Sequence, residues 1–133
     1  MNEGDVVLTP LPQSDGRLKN RPAIALRQMP PFGDWLVCGV STQLRHAVSE
    51  FDDIIGPGHA DFATSGIKAP SIIRLGFLAI LPASSFSGAI GSVASERHHR
   101  LLARLCEHLE PKETVCSSPA QGEFTNLANR LIR

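Results

Sequence analysis

Apolar residues along this chain come in short runs broken by proline and glycine, and only near the end do they take up helical spacing. Residues 5–9 (DVVLT) predict a first strand, ended by Pro10 and Pro12. A polar loop follows over 13–20, in which Ser14-Asp15-Gly16 is a turn signal: small polar side chains bond their own backbone and glycine tolerates positive φ. Residues 22–27 (PAIALR) alternate small and large apolar side chains and predict a second strand. Pro22 has no amide proton and suits that strand's first position. Beyond the break at Met29-Pro30-Pro31-Phe32-Gly33, residues 35–40 (WLVCGV) are apolar throughout, as in a strand covered on both faces.

The second half continues in short pieces. Residues 42–58 read as a surface excursion with a short strand over 51–55, and 60–65 as a helical turn that Gly66 terminates in the left-handed conformation. Two further short strands are expected over 71–74 and 77–81, separated by Gly76, then a tight strand or turn over 88–91. A helix follows. Ser95 can cap it, Glu96 suits its positive end, Pro111 stops it, and Leu101, Leu102, Leu105 and Leu109 fall on one stripe. Strands, an excursion, more strands and one helix predict an α+β chain, mainly β: a small curled sheet or barrel with a C-terminal helix. Residues 1–110 form the domain on this reading, and 111–133 a tail with a short helix over 124–132.

Length and composition narrow the class. The 133 residues suit one domain of the usual ~100–150 residues, and 42% apolar residues suffice for one core. No apolar run approaches the ~18 residues of a membrane span, and the amino terminus lacks the basic and apolar regions of a secretory signal. The expected location is cytoplasmic, with no membrane partner. Cys38, Cys106 and Cys116 show no Cys-x-x-Cys spacing, which argues against a disulfide framework or zinc site; Cys38, inside an apolar run, reads as a small buried hydrophobe.

Net charge is zero, but it is unevenly spread. Arg17, Lys19, Arg21, Arg27 and Arg45 stand against Asp34 alone between residues 16 and 49, whereas Glu50, Asp52, Asp53 and Asp61 follow with no lysine or arginine among them. A local basic surface attracts phosphates even when the total is balanced.

Marked catalytic signatures are absent. The five histidines match no metal pattern, and His98 and His99, beside Arg97 and Arg100, read as surface residues of the helix's first turn. There is no Gly-x-Ser-x-Gly elbow and no Gly-Lys-Ser/Thr phosphate loop. No metal or cofactor is expected. What remains is the loop-to-strand junction Lys19-Asn20-Arg21-Pro22, followed by Ala23-Ile24-Ala25-Leu26.

With Gly4-Asp5-Val6-Val7, Pro10 and Ser14-Asp15-Gly16 ahead of it, that junction resembles the opening of PemK/MazF-type toxins. Val37-Cys38-Gly39-Val40-Ser41-Thr42 resembles the family's third strand, and Ser65-Gly66-Ile67-Lys68-Ala69-Pro70-Ser71-Ile72-Ile73-Arg74 its Gly-Leu-Lys-x-x-Ser-x-x-Arg segment. The likeness spans residues 3–110. It implies an SH3-like barrel with a terminal helix, a two-fold homodimer, and metal-independent, sequence-selective cleavage of single-stranded mRNA by the neighbouring 2′-hydroxyl. It also implies a cognate antitoxin whose extended tail occupies the RNA groove.

By the same resemblance, Arg21 stabilises the transition state, because a guanidinium binds phosphate oxygens bidentately and is a poor base. Proton donation to the leaving oxygen is its second role. Ser41 matches the family's threonine and would bond the phosphate or orient the 2′-hydroxyl, with Thr42 as its backup. Arg74 matches the family arginine, and Arg17, Lys19 and Arg45 are further candidate RNA contacts. Some members carry an acidic residue where Gly76 stands, others a glutamate where Gly16 stands. Asp15 is the nearest carboxylate in that loop and the candidate general base. The alternative reading is a barrel of the same shape that holds nucleic acid or an antitoxin peptide without cutting.

Overall fold

The computed structural model describes residues 1–111; the helix expected over 124–132, and Cys116, lie outside them. Six antiparallel strands form a curled half-barrel: β1 (Asp5–Pro12), β2 (Leu18–Met29), β3 (Asp34–Ser41), β4 (Asp53–Ile55), β5 (Ser71–Leu81) and β6 (Gly88–Ser92), ordered β4-β5-β3-β2-β1-β6. A single turn of helix, α1 (Phe62–Ser65), precedes β5, and α2 (Ser95–Leu109) closes the described chain. The α+β, mainly β class with a C-terminal helix is the one expected from the sequence. Among the described residues no helix is long and apolar enough to cross a membrane.

The strands run longer than the apolar runs that announced them. β1 continues through both prolines to pair with β2, Pro10 with Asn20 and Pro12 with Leu18. It pairs with β6 only as far as Leu8, whose carbonyl accepts from Ser87. Pro10 and Pro12 share the parity of Leu8, so their missing donors face an edge with no partner strand and cost no ladder bond.

The expected pair of strands over 71–74 and 77–81 is one strand. Its register slips between Cys38, which faces Leu78, and Gly39, which faces Arg74. Leu75, Gly76 and Phe77 bulge out in between. The Leu75 amide freed from the ladder donates to Asp52 Oδ1 at 3.1 Å, while Asp52 Oδ2 accepts from the Val48 amide at 2.9 Å. Asp52 thus ties the excursion after β3 to the bulge.

Strand alternation sorts the apolar side chains onto two faces. Val6, Ile24, Leu26, Cys38, Val40, Ile73 and Leu75 face α2, whose Leu101 and Leu105 complete the larger cluster. Leu102 packs against it, whereas Leu109 at the end of the predicted stripe is exposed. Val7, Leu11, Ala23, Ala25, Trp35 and Val37 occupy the opposite face. β3 is therefore covered on both sides, as its unbroken apolar run predicts. Burial pushes the Cys38 thiol up to about 12.

The helix corrects two local expectations. Ala94, not Ser95, occupies the N-cap position and offers no side-chain cap; Asp61 Oδ2 accepts the Ala94 amide at 3.0 Å instead. His98 is buried, and its Nε2 donates to Leu26 O at 2.8 Å. Arg97 is buried too. It gives Nε and Nη2 to the two oxygens of Asp61 at 2.7 and 3.0 Å, and Nη1 to Asp53 Oδ2 at 2.7 Å and Ile54 O at 3.1 Å.

Arg100 and Arg104 reach Asp53 at 2.9 and 3.2 Å. The acidic stretch and the basic helix face are two halves of one cluster. The bidentate bond from Arg97 overcomes burial and brings Asp61 down to about 2. Burial works against the Arg97 charge, but the Asp61 bond and the two carboxylate charges outweigh it and hold its pKa above the ordinary value. Close backbone packing completes this corner. Gly66 has φ 77°, and a side chain there would strike Ile90 O; α1 lies directly on β6.

Candidate functional site

The face opposite α2 is apolar at one end and polar at the other. Arg21 stands on it because it shares the parity of Ala23 and Ala25 in β2. In the β2–β3 ladder Ala23 faces Gly39; the same register carried two residues further brings Arg21 opposite Ser41. In the β3–β5 ladder Gly39 faces Arg74. Two registers thus place Arg21, Ser41 and Arg74 on three adjacent strands, around one spot.

An open groove of about 670 Å³ occupies that spot. Its floor is Gly39, Val40, Ser41, Arg21, Arg74 and Phe77; Leu11, Pro12, Gln13 and Ser14 form one wall, and Gln43 and His46 the other. The β5 bulge turns Phe77 onto this face. Its ring lies where a side chain on residue 39 would go, since a Cβ there would stand 2.9 Å from Phe77 Cδ1. The Arg74 guanidinium lies 5.8 Å from the ring centroid, a cation–π arrangement that keeps the charge beside the groove. Ser41 Oγ accepts the Gln43 amide at 3.1 Å, which leaves its own proton free to donate.

Electrostatically the groove is basic and unsatisfied. Among the described residues, neither Arg21 nor Arg74 meets a carboxylate within ion-pair distance. Arg21 Nε is buried without a hydrogen-bond partner. A buried donor left unpaired is costly unless something else satisfies it, and an anion held in the groove does so. Thr9, the cross-strand partner of Arg21, likewise has a buried hydroxyl without a partner.

The other sequence candidates lie around this centre. Thr42 is exposed just beyond Ser41 and does not line the groove. Asp15 is exposed in the β1–β2 loop, where its Oδ1 accepts the Arg17 amide at 2.9 Å. Lys19 stands opposite Leu11 at the groove's outer end, and Arg45 sits in the 3-10 turn Leu44–His46. Neither Asp15, Arg17, Lys19 nor Arg45 lines the groove. Gln13, Gln43, His46 and Phe77 do, and none was singled out from the sequence. Gln43 and His46 belong to the excursion after β3, whose fold carries no periodic signal. Among the described residues no group of three or more His, Cys, Asp or Glu side chains is placed to hold a metal ion.

No family model matches this chain, and no curated protein matches it in sequence. Its structure is similar to that of the Mycobacterium tuberculosis toxin MazF-mt6, with a TM-score of 0.57 over 77% of this chain and 93% of that one, at 17% identity. The half-barrel order, the C-terminal helix and this likeness together give the chain the MazF/PemK-type toxin fold.

Proposed function

We propose that the protein is an endoribonuclease toxin that cleaves single-stranded mRNA sequence-selectively and without a metal, using the 2′-hydroxyl beside the scissile phosphate. The observation that carries this reading is the convergence of Arg21, Ser41 and Arg74 on one groove, with both guanidiniums free of carboxylates among the described residues. RNA brings its own nucleophile, so a protein that grips the phosphate in the right geometry supplies much of the rate. Arg21 faces the non-bridging oxygens and stabilises the charge that grows on them. Ser41 donates to the phosphate or orients the 2′-hydroxyl. Arg74, with Arg17, Lys19 and Arg45 further out, holds the flanking backbone. A homodimer in the cytoplasm, silenced by an antitoxin whose chain fills the same groove, completes the reading.

The second reading, a barrel that binds RNA or a peptide without cutting, is favoured by one observation: no carboxylate among the described residues lines the groove. Purified protein incubated with single-stranded RNA in EDTA, beside Arg21→Ala, separates the two. Cleavage by the wild type that disappears in the variant supports the nuclease. Binding without cleavage by either protein supports the second reading, and equal cleavage by both removes Arg21 from the mechanism.

A further inference from the structure

A 2′-hydroxyl attacks phosphorus only after giving up its proton, and the groove offers few groups able to take it. Arg21 and Arg74 are permanently protonated, while serine, glutamine and phenylalanine are not bases near neutral pH. Asp15 lies outside the lining, with one carboxylate oxygen accepting the Arg17 amide. Of the side chains among the described residues that line the groove, His46 alone carries an imidazole, a group whose ring nitrogen can take up and return a proton. It projects from the 3-10 turn Leu44–His46 on the wall beyond Ser41.

That wall is built and held. The His46 amide donates to Gln43 O at 3.0 Å, the Gln43 amide to Ser41 Oγ at 3.1 Å, and Asp52 ties the end of the excursion to β5. The charged groups facing the groove with His46 are Arg21 from β2 and Arg74 from β5, with Arg45 beside it in its own turn. No hydrogen bond to another described residue occupies the His46 ring.

We infer that His46 is the general base of the groove, an inference that rests on the ribonuclease reading. The neutral imidazole takes the 2′-hydroxyl proton as O2′ bonds to phosphorus and the bond from phosphorus to O5′ breaks. The departing O5′ takes a proton from water, and the imidazolium returns its own to the hydroxide so formed. The products are a 2′,3′-cyclic phosphate and a 5′-hydroxyl end, and the base is restored. Arg21 stabilises the phosphorane-like charge throughout.

The test is the pH dependence of cleavage of a long mixed-sequence single-stranded RNA in EDTA, by wild type, His46→Gln, His46→Ala and Arg21→Ala. Affinity for a non-cleavable 2′-O-methyl oligonucleotide pool and thermal midpoints are measured alongside. His46 is exposed, so both variants should melt with the wild type. The expected result is an acid limb in the wild-type rate profile that His46→Gln abolishes. That variant should cleave about 100-fold more slowly with binding unchanged, and added imidazole should partly rescue His46→Ala. If His46→Gln keeps the rate and the acid limb while Arg21→Ala loses cleavage, the ribonuclease reading stands and the assignment of His46 is overturned. Absence of cleavage by the wild type overturns both.

Discussion

Arg97 and Arg21 are the same residue type in opposite circumstances. On the helix side of the sheet, Arg97 is buried with its donors spent on Asp53, Asp61 and the Ile54 carbonyl. On the other side, among the described residues, Arg21 has a buried Nε with no partner and no carboxylate lines the groove around it. A protein that satisfies the buried Arg97 so completely leaves the buried Nε of the half-buried Arg21 unsatisfied, where an external anion would complete it. The contrast separates a side chain that holds the fold from one held ready by it.

The largest expected effect breaks the satisfied member. Arg97→Ala leaves Asp53 and Asp61 in a buried site without their main partner, and should cost about 3–5 kcal/mol of stability in denaturant unfolding. Arg21→Ala should do the reverse. Cleavage should fall about 100- to 1,000-fold, while the melting curve shifts by no more than roughly 0.5 kcal/mol of stability.

Acid sharpens the comparison further. The folded-state pKa of Asp61 is depressed to about 2, below its ordinary 3.8, so its contribution is complete above that ordinary value and is lost as pH falls towards 2. That loss should be roughly 2 kcal/mol and should be missing in Asp61→Asn, itself less stable at neutral pH. The smallest effect concerns the sheet between the two arginines. Cys38, with its thiol pushed up to about 12, should escape alkylation at pH 8 in native protein, while exposed Cys106 reacts; peptide mass mapping distinguishes them.

Local periodicity carried much of this fold. The apolar runs of β1, β2 and β3, the Gly66 stop and the Leu101–Leu105 stripe were all readable, because burial repeats with strand or helix period. What was not readable depended on partners far along the chain. β5 looked like two strands because Gly76 interrupts the run, and the carboxylate that stabilises the bulge lies 23 residues away. His98 reads as a surface residue because its partner, Leu26 O, belongs to another element, and the Arg97 pairing with Asp53 and Asp61 spans elements in the same way. For the candidate site, motif singles out Arg21, Ser41 and Arg74, and strand register places them around one groove. His46 and Phe77 escaped notice since neither a short 3-10 turn nor a bulge has a period to detect.

The two hydrogen bonds that Asp52 accepts bear on how such a groove can diversify. One wall of the groove is a short excursion anchored at its start by Ser41 and at its end by Asp52, whereas the floor belongs to the sheet. Residues between those anchors take part in no ladder pair of the sheet. The shape of that wall and the integrity of the scaffold can then drift independently, each tested by selection on its own terms.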